Sequence, residues 1–96
     1  MITKQERIEL RSKASLIKPI VWVGKDGFTE AVLKQIEDEL FNHELIKISL
    51  QDSTTPLTEF ELAEVAVKLG AEVVTTIGRK IVLYKHSEKK GIHHML

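Results

Sequence analysis

An α/β domain on a small four-stranded mixed sheet is predicted by three features of this chain. Three segments carry apolar residues at helical spacing, four short apolar or alternating segments read as strands, and the two kinds alternate until the last two strands meet across a short turn. The order is αβαβαββ, and its expected form is a two-layer sandwich of sheet and helices.

The first helix is announced by Thr3 and Glu6, a capping box worth about 1 kcal/mol, after which Leu10, Ala14 and Ile17 recur on one face. It should run from Lys4 to about Leu16. Lys18-Pro19 ends it, because proline disfavours helical geometry in the residue before it, and Ile20-Val21-Trp22-Val23 is a short all-apolar strand. Gly24-Lys25-Asp26-Gly27 follows. A second helix begins near Thr29, with Val32, Leu33, Ile36 and Leu40 inward and Glu30, Glu37, Asp38 and Glu39 largely outward, and stops near Asn42-His43.

Leu45 to Leu50 is the second strand, with Ile46, Ile48 and Leu50 facing one way and Lys47 and Ser49 the other. Thr58 and Glu61 form a second capping box after the loop at Gln51 to Pro56. Leu62, Ala63, Ala66, Val67 and Leu69 give the third helix its apolar stripe, and Gly70 is its C-terminal cap. Val73 to Ile77 and Ile81 to Lys85 are the last strands, close enough across Gly78-Arg79-Lys80 to form a hairpin. Residues 1–86 make one domain. The tail from Ser87 to Leu96 has no periodicity and is expected to be disordered.

With 96 residues, 43% hydrophobic and 29% charged, the chain has material for a single core. Its apolar runs are too short for a membrane span, and its first residues lack a signal-peptide pattern. It contains no cysteine, so a cytoplasmic location is the expectation. The formal net charge is zero, but the charges are segregated: residues 1–28 hold six Lys/Arg against three Asp/Glu, residues 29–72 three against ten, and residues 73–96 five against one. A neutral total therefore does not exclude a polyanionic partner.

If strands one to three are parallel, with the usual right-handed crossovers, their C-terminal ends share one edge of the sheet. That edge collects the Gly24–Gly27 loop, the Gln51–Pro56 loop and the Arg79-Lys80 turn. The first helix should bring Lys4, Arg7 and Arg11 near it, leaving Lys18 and Lys85 at the other end. Two glycines bracketing Lys25-Asp26 between a strand and a helix let backbone pass close to a ligand with amide N–H groups facing outward. The helix start just beyond favours anions. A phosphate backbone suits such a site, and the loop is of the GXXG type that clamps nucleotides elsewhere. It is too short for a nucleoside triphosphate loop.

Beyond the loop, Lys4-Gln5 with Leu10-Arg11, Leu16-Ile17-Lys18-Pro19, Val23-Gly24-Lys25-Asp26-Gly27 with Thr29-Glu30, His43-Glu44-Leu45-Ile46-Lys47, and Ile77-Gly78-Arg79 with Val82-Leu83-Tyr84 stand in an order that resembles the CRM domain (chloroplast RNA splicing and ribosome maturation), in its bacterial stand-alone form. The resemblance implies a fold similar to the C-terminal domain of translation initiation factor three, with the fourth strand antiparallel to the others. It also implies RNA binding through the GXXG loop and basic neighbours, on precursors of the large ribosomal subunit. The RNA-binding residues so expected are Lys4, Arg7, Arg11, Gly24, Lys25, Asp26, Gly27, Arg79 and Lys80. Two departures should lower affinity: Asp26 is negative where the family carries a neutral or small residue, and Ser49 stands where a basic one is expected.

Other constellations carry less. Glu37-Asp38-Glu39 point in different directions around a helix and read as a solvated face, and His93-His94 on a tail lack fixed geometry for a metal. His43-Glu44 reads as a helix end. Trp22 and Tyr84 lie in strands, where core packing is the commoner fate than base contact. No nucleophile set or cofactor motif is present, so the chain is read as a non-enzymatic RNA-binding assembly factor with no cofactor or metal, and as a monomer. A protein-interaction module, docking basic ribosomal proteins through the acidic middle segment, is the alternative.

Overall fold

The computed structural model describes residues 2–96. Its elements are α1 (Lys4–Ala14), β1 (Val21–Val23), α2 (Glu30–His43), β2 (Leu45–Leu50), α3 (Glu59–Leu69), β3 (Glu72–Ile77) and β4 (Lys80–Tyr84), which is the expected order. Both capping boxes form: the Thr3 and Thr58 hydroxyls accept the amides of Glu6 and Glu61, whose carboxylates accept the cap amides in return. Gly70 closes α3 at φ 69°, a left-handed position that glycine adopts without a Cβ clash.

The sheet order is β1-β2-β4-β3, with β1 parallel to β2 and β4 antiparallel to both β2 and β3. Strands one to three therefore point the same way, and their C-terminal ends share an edge. Alternation along β2 sends Ile46, Ile48 and Leu50 to one face, where they meet Val21, Val23, Ile81 and Leu83 of the sheet, Ile36 and Leu40 of α2, and Leu62 and Leu69 of α3. This is the expected two-layer unit. On α3 the buried stripe is Leu62, Ala66 and Leu69, whereas Val67 is 80% exposed and Ala63 is exposed, so the stripe is narrower than the sequence suggested.

On the other face α1 forms a partial layer. Leu10 and Ala14 pack against Leu45, Val74, Val82 and Tyr84, and the helix lies over β2, β3 and β4. Burying Leu10 completely makes it a major anchor, worth about 2–5 kcal/mol on truncation to alanine. The tail forms no helix or strand, and three of its residues contact Glu44 at the end of α2. The Ser87 and Met95 amides donate to the buried Glu44 carboxylate at 2.7 and 2.8 Å, and His94 Nδ1 lies 2.7 Å from Glu44 Oε2. Glu44 caps α2 at φ 64°, so the helix end read from His43-Glu44 is also the post to which the tail is fastened.

Candidate nucleic-acid interface

The GXXG loop is a tight turn closed by the Gly27 amide donating to the Gly24 carbonyl at 3.0 Å. Gly27 has φ 71° with open space around a would-be Cβ, so its glycine is a backbone requirement and not a packing one. Gly24 is less constrained: a Cβ there would sit 3.2 Å from Oε1 at the end of the flexible Gln51 side chain. Thr29 then caps α2 by accepting the Val32 amide at 3.2 Å. Among the described residues, the amides of Lys25 and Asp26 in the turn and of Glu30 and Ala31 in the first turn of α2 have no partner in the protein. Unpaired amides at a helix N-terminus favour anions such as phosphate oxygens. Lys25 is exposed and unengaged beside them, while the exposed Asp26 and Glu30 carboxylates temper the positive field.

The loop rests on the β2–α3 connection. The Val23 carbonyl accepts both the Gln51 amide at 2.9 Å and the Thr54 hydroxyl at 2.5 Å. Arg79 holds that connection from the hairpin side: its Nη2 donates to the carbonyls of Gln51 (2.6 Å), Asp52 (3.4 Å) and Thr54, and its Nε to Leu50 (3.4 Å). Arg79 thus reaches the expected edge, but its donors are turned inward on backbone carbonyls.

The first helix does not bring its N-terminal turn to this edge, contrary to the expectation for Lys4 and Arg7. The Ile2 amide donates to Glu72 Oε1 at 3.2 Å, and Arg7 Nη1 donates to the carbonyls of Val73 and Val74 (2.9 Å for Val74), at the start of β3. Those two carbonyls lie at the register shift between Val73 and Thr75, where the ladder to β4 is interrupted, so Arg7 satisfies backbone that the bulge leaves unpaired. Lys4 is exposed at that far end. Arg11, one turn later, lines a groove between α1 and the sheet with Lys47, Thr75 and Ile77, closer to the loop edge. Lys80 is exposed on the same sheet face.

For Trp22, where strand position favours core packing over base contact, the structure gives the opposite result: the side chain is 56% exposed. β1 is an edge strand, and α1 packs over the other three strands, so nothing covers the indole. Tyr84 is buried as expected. Glu44, His86 and His94 bring ligand-type atoms within 4.8 Å of one another, so the tail histidine that meets a carboxylate is His94 and not His93. Burial pushes the Glu44 carboxyl up, but the Ser87 and Met95 amides and His94 outweigh it and hold the group below its ordinary range. With backbone N–H groups on both carboxylate oxygens, this cluster acts as a clasp for the tail.

The sequence matches the CRS1 / YhbY (CRM) domain over residues 2–85. It is 40% identical over 90 residues to the Probable RNA-binding protein YqeI of Bacillus subtilis, covering 93% of each chain. A Haemophilus influenzae protein named RNA-binding protein is 36% identical over 90 residues, covering 94% of this chain and 90% of its own. Among solved structures, the solution structure of hypothetical protein SAV1595 from Staphylococcus aureus is similar with a TM-score of 0.70 and 36% identity, over 94% of both chains. A four-stranded mixed sheet with three helices, a glycine-bracketed turn at its C-terminal edge and similarity over 90% or more of these chains have one common source: this chain belongs to the CRS1 / YhbY (CRM) domain family.

Proposed function

We propose that the chain is an RNA-binding, non-enzymatic ribosome-assembly factor that acts in the cytoplasm on precursors of the large ribosomal subunit. The observation that carries the reading is the Gly24–Gly27 turn, where unpaired amides of the loop and of the α2 N-terminus adjoin the unengaged Lys25, in a chain whose relatives are named RNA-binding proteins. In this reading the turn seats a phosphate on backbone N–H groups, and Lys25 adds a charge-assisted contact. Arg11 and Lys80 supply further phosphate contacts from the α1 side of the sheet. Arg79 and Arg7 serve indirectly, by holding the backbone that shapes the site. Gripping the sugar–phosphate chain requires no bond chemistry and is suited to holding a folding intermediate of RNA.

With Lys25, Arg11 and Lys80 as three phosphate contacts, log affinity for single-stranded RNA should fall against log salt with a slope of about −2, at about 0.7 per contact. A slope near zero refutes the phosphate grip. Crosslinking in cells followed by sequencing of the attached RNA tests the ribosomal assignment: enrichment of large-subunit precursor sequences supports it, and an even spread over cellular RNA refutes it. Nuclease digestion should release the chain from preribosomes, whereas docking to a basic protein through the acidic helices would survive it.

A further inference from the structure

The half of the sheet left bare by α1 carries a row of four side chains, one from each strand. The register pairs Trp22 with Ser49, Ser49 with Lys80, and Lys80 with Ile77, so all four project from one face in spatial order across β1, β2, β4 and β3. Four strands place the two ends of this row about 14 Å apart. Trp22 is 56% exposed and Ile77 71% exposed, unusual for large apolar side chains on a sheet. Serine, the neighbour of Trp22 across the ladder, is too small to cover an indole. One row further from the edge, Lys47 pairs with Val82 and Val82 with Thr75, beside the groove of about 420 Å³ that Arg11 and Ile77 also line.

We propose that this open sheet face is a binding platform for unpaired nucleotides, on which a base stacks against Trp22 while Lys80 and Arg11 hold flanking phosphates. The proposal rests on the RNA-binding reading above and sharpens it, from a backbone grip at the loop to a preference for RNA with exposed bases. Three observations select RNA as the occupant. Charge is the first: Lys47, Lys80 and Arg11 lie on this face and no carboxylate lines the groove, whereas α2 and α3, on the opposite face, bear Glu30, Glu37, Asp38, Glu39, Glu59, Glu61 and Glu64 against Lys34 and Lys68. The charge is thus unevenly divided, with α2 and α3 net acidic and the groove free of carboxylates. Continuity is the second. Trp22 is in β1, two residues before Gly24 opens the GXXG turn, so the indole adjoins the loop proposed to hold the RNA backbone. Availability is the third: Lys80 and Arg11 have no hydrogen-bond or ion-pair partner among the described residues, while Lys47 is tethered by its Nζ donating to the Ile17 carbonyl at 3.0 Å and contributes charge at a fixed place. Stacking on an aromatic side chain demands a base free of its helix, which a paired duplex does not offer.

Trp22 is the single tryptophan of the chain, so its emission reports on this face alone. The full chain is titrated with a 12-nucleotide single-stranded RNA and with a hairpin duplex of matched composition, binding being followed independently by anisotropy of a label on the RNA. Quenching of Trp22 by the single strand and much less by the duplex is expected. Trp22→Ala should weaken single-strand binding by roughly five- to a hundredfold, with Trp22→Phe between the two and duplex binding little changed. Normal binding of the single strand with unchanged emission and a silent Trp22→Ala overturns the platform while leaving the loop grip intact. No binding of either RNA overturns the RNA-binding reading itself. Equal losses for alanine and phenylalanine, on both RNAs and with a lowered urea midpoint, assign Trp22 to packing and overturn the platform. So does concentration-dependent dimerisation that Trp22→Ala abolishes with no effect on RNA.

Discussion

Arg79 Nη2 donates to the Gln51 carbonyl at 2.6 Å, tying the β3–β4 hairpin to the loop on which Gly24 rests. The two residues are 28 positions apart in sequence, and the Gln51 amide in turn binds the Val23 carbonyl just before the GXXG turn. One guanidinium thus supports the whole C-terminal edge of the sheet. Because its planar fork serves several carbonyls together, lysine is a poor replacement. Arg79→Lys and Arg79→Ala should both lower stability, by about 1–3 kcal/mol for alanine, read as a lower urea midpoint at unchanged slope. Variants with wild-type stability would show that these contacts do not hold the loop.

Lys25 and Lys34 separate a local contact from a general charge effect. Lys34 pairs with Asp38 at 2.8 Å on the acidic outer side of α2, whereas Lys25 is unengaged in the turn. Each change to glutamate alters net charge equally. Lys25→Glu should reduce RNA affinity about tenfold or more at fixed salt with stability unchanged, since a charge-assisted contact of about 1.5–3 kcal/mol becomes a repulsion. Lys34→Glu should change affinity little. Equal losses in anisotropy titrations would indicate diffuse attraction without a site.

The two loop glycines should respond differently to substitution. At Gly27, with φ 71° and free space, alanine should cost about 1–2 kcal/mol through backbone strain, and asparagine less, because it tolerates the left-handed region. At Gly24 alanine meets only the end of the flexible Gln51 side chain, so its thermodynamic cost should be the smaller one, while valine should displace Gln51 and weaken RNA binding more than stability. Urea midpoints and RNA titrations on the same samples check both statements.

Glu44 makes the tail clasp sensitive to acid. Burial disfavours its charge, but the Ser87 and Met95 amides and His94 more than compensate, so its folded pKa lies below the ordinary 4.5. A carboxyl depressed in the folded state contributes stability that is fully present above the unfolded value and is lost as pH falls through the lower folded one. Glu44→Gln should therefore destabilise the chain at neutral pH, by about 1–3 kcal/mol, and the gap to wild type should close as pH falls below the ordinary value. Urea midpoints at pH 7 and pH 3 measure it. A gap that persists undiminished at pH 3 would mean that the charge on Glu44 does not hold the tail.

The elements and the edge they share are written in local sequence. Capping boxes at Thr3 and Thr58, the alternation of Leu45–Leu50, the glycine at position 70 and the αβαβαββ order are local facts, set by contacts within about four residues or by strand periodicity. They were sufficient to place Lys25 and Arg79 at the C-terminal ends of parallel-running strands. What each exposed or buried face meets depends on the packing of segments far apart in the chain. The apolar stripe of α1 dictates that Leu10 and Ala14 be covered, but not that β2, β3 and β4 cover them; that choice leaves Trp22 bare and carries Lys4 and Arg7 away from the loop. Arg79, Arg7 and Glu44 find their partners 25 to 67 residues away along the chain, on carbonyls or amides whose unpaired state arises only after the sheet, its bulge and its helix ends have formed. Periodicity announces that a side must be buried or a charge satisfied, and the packing of distant segments settles by what.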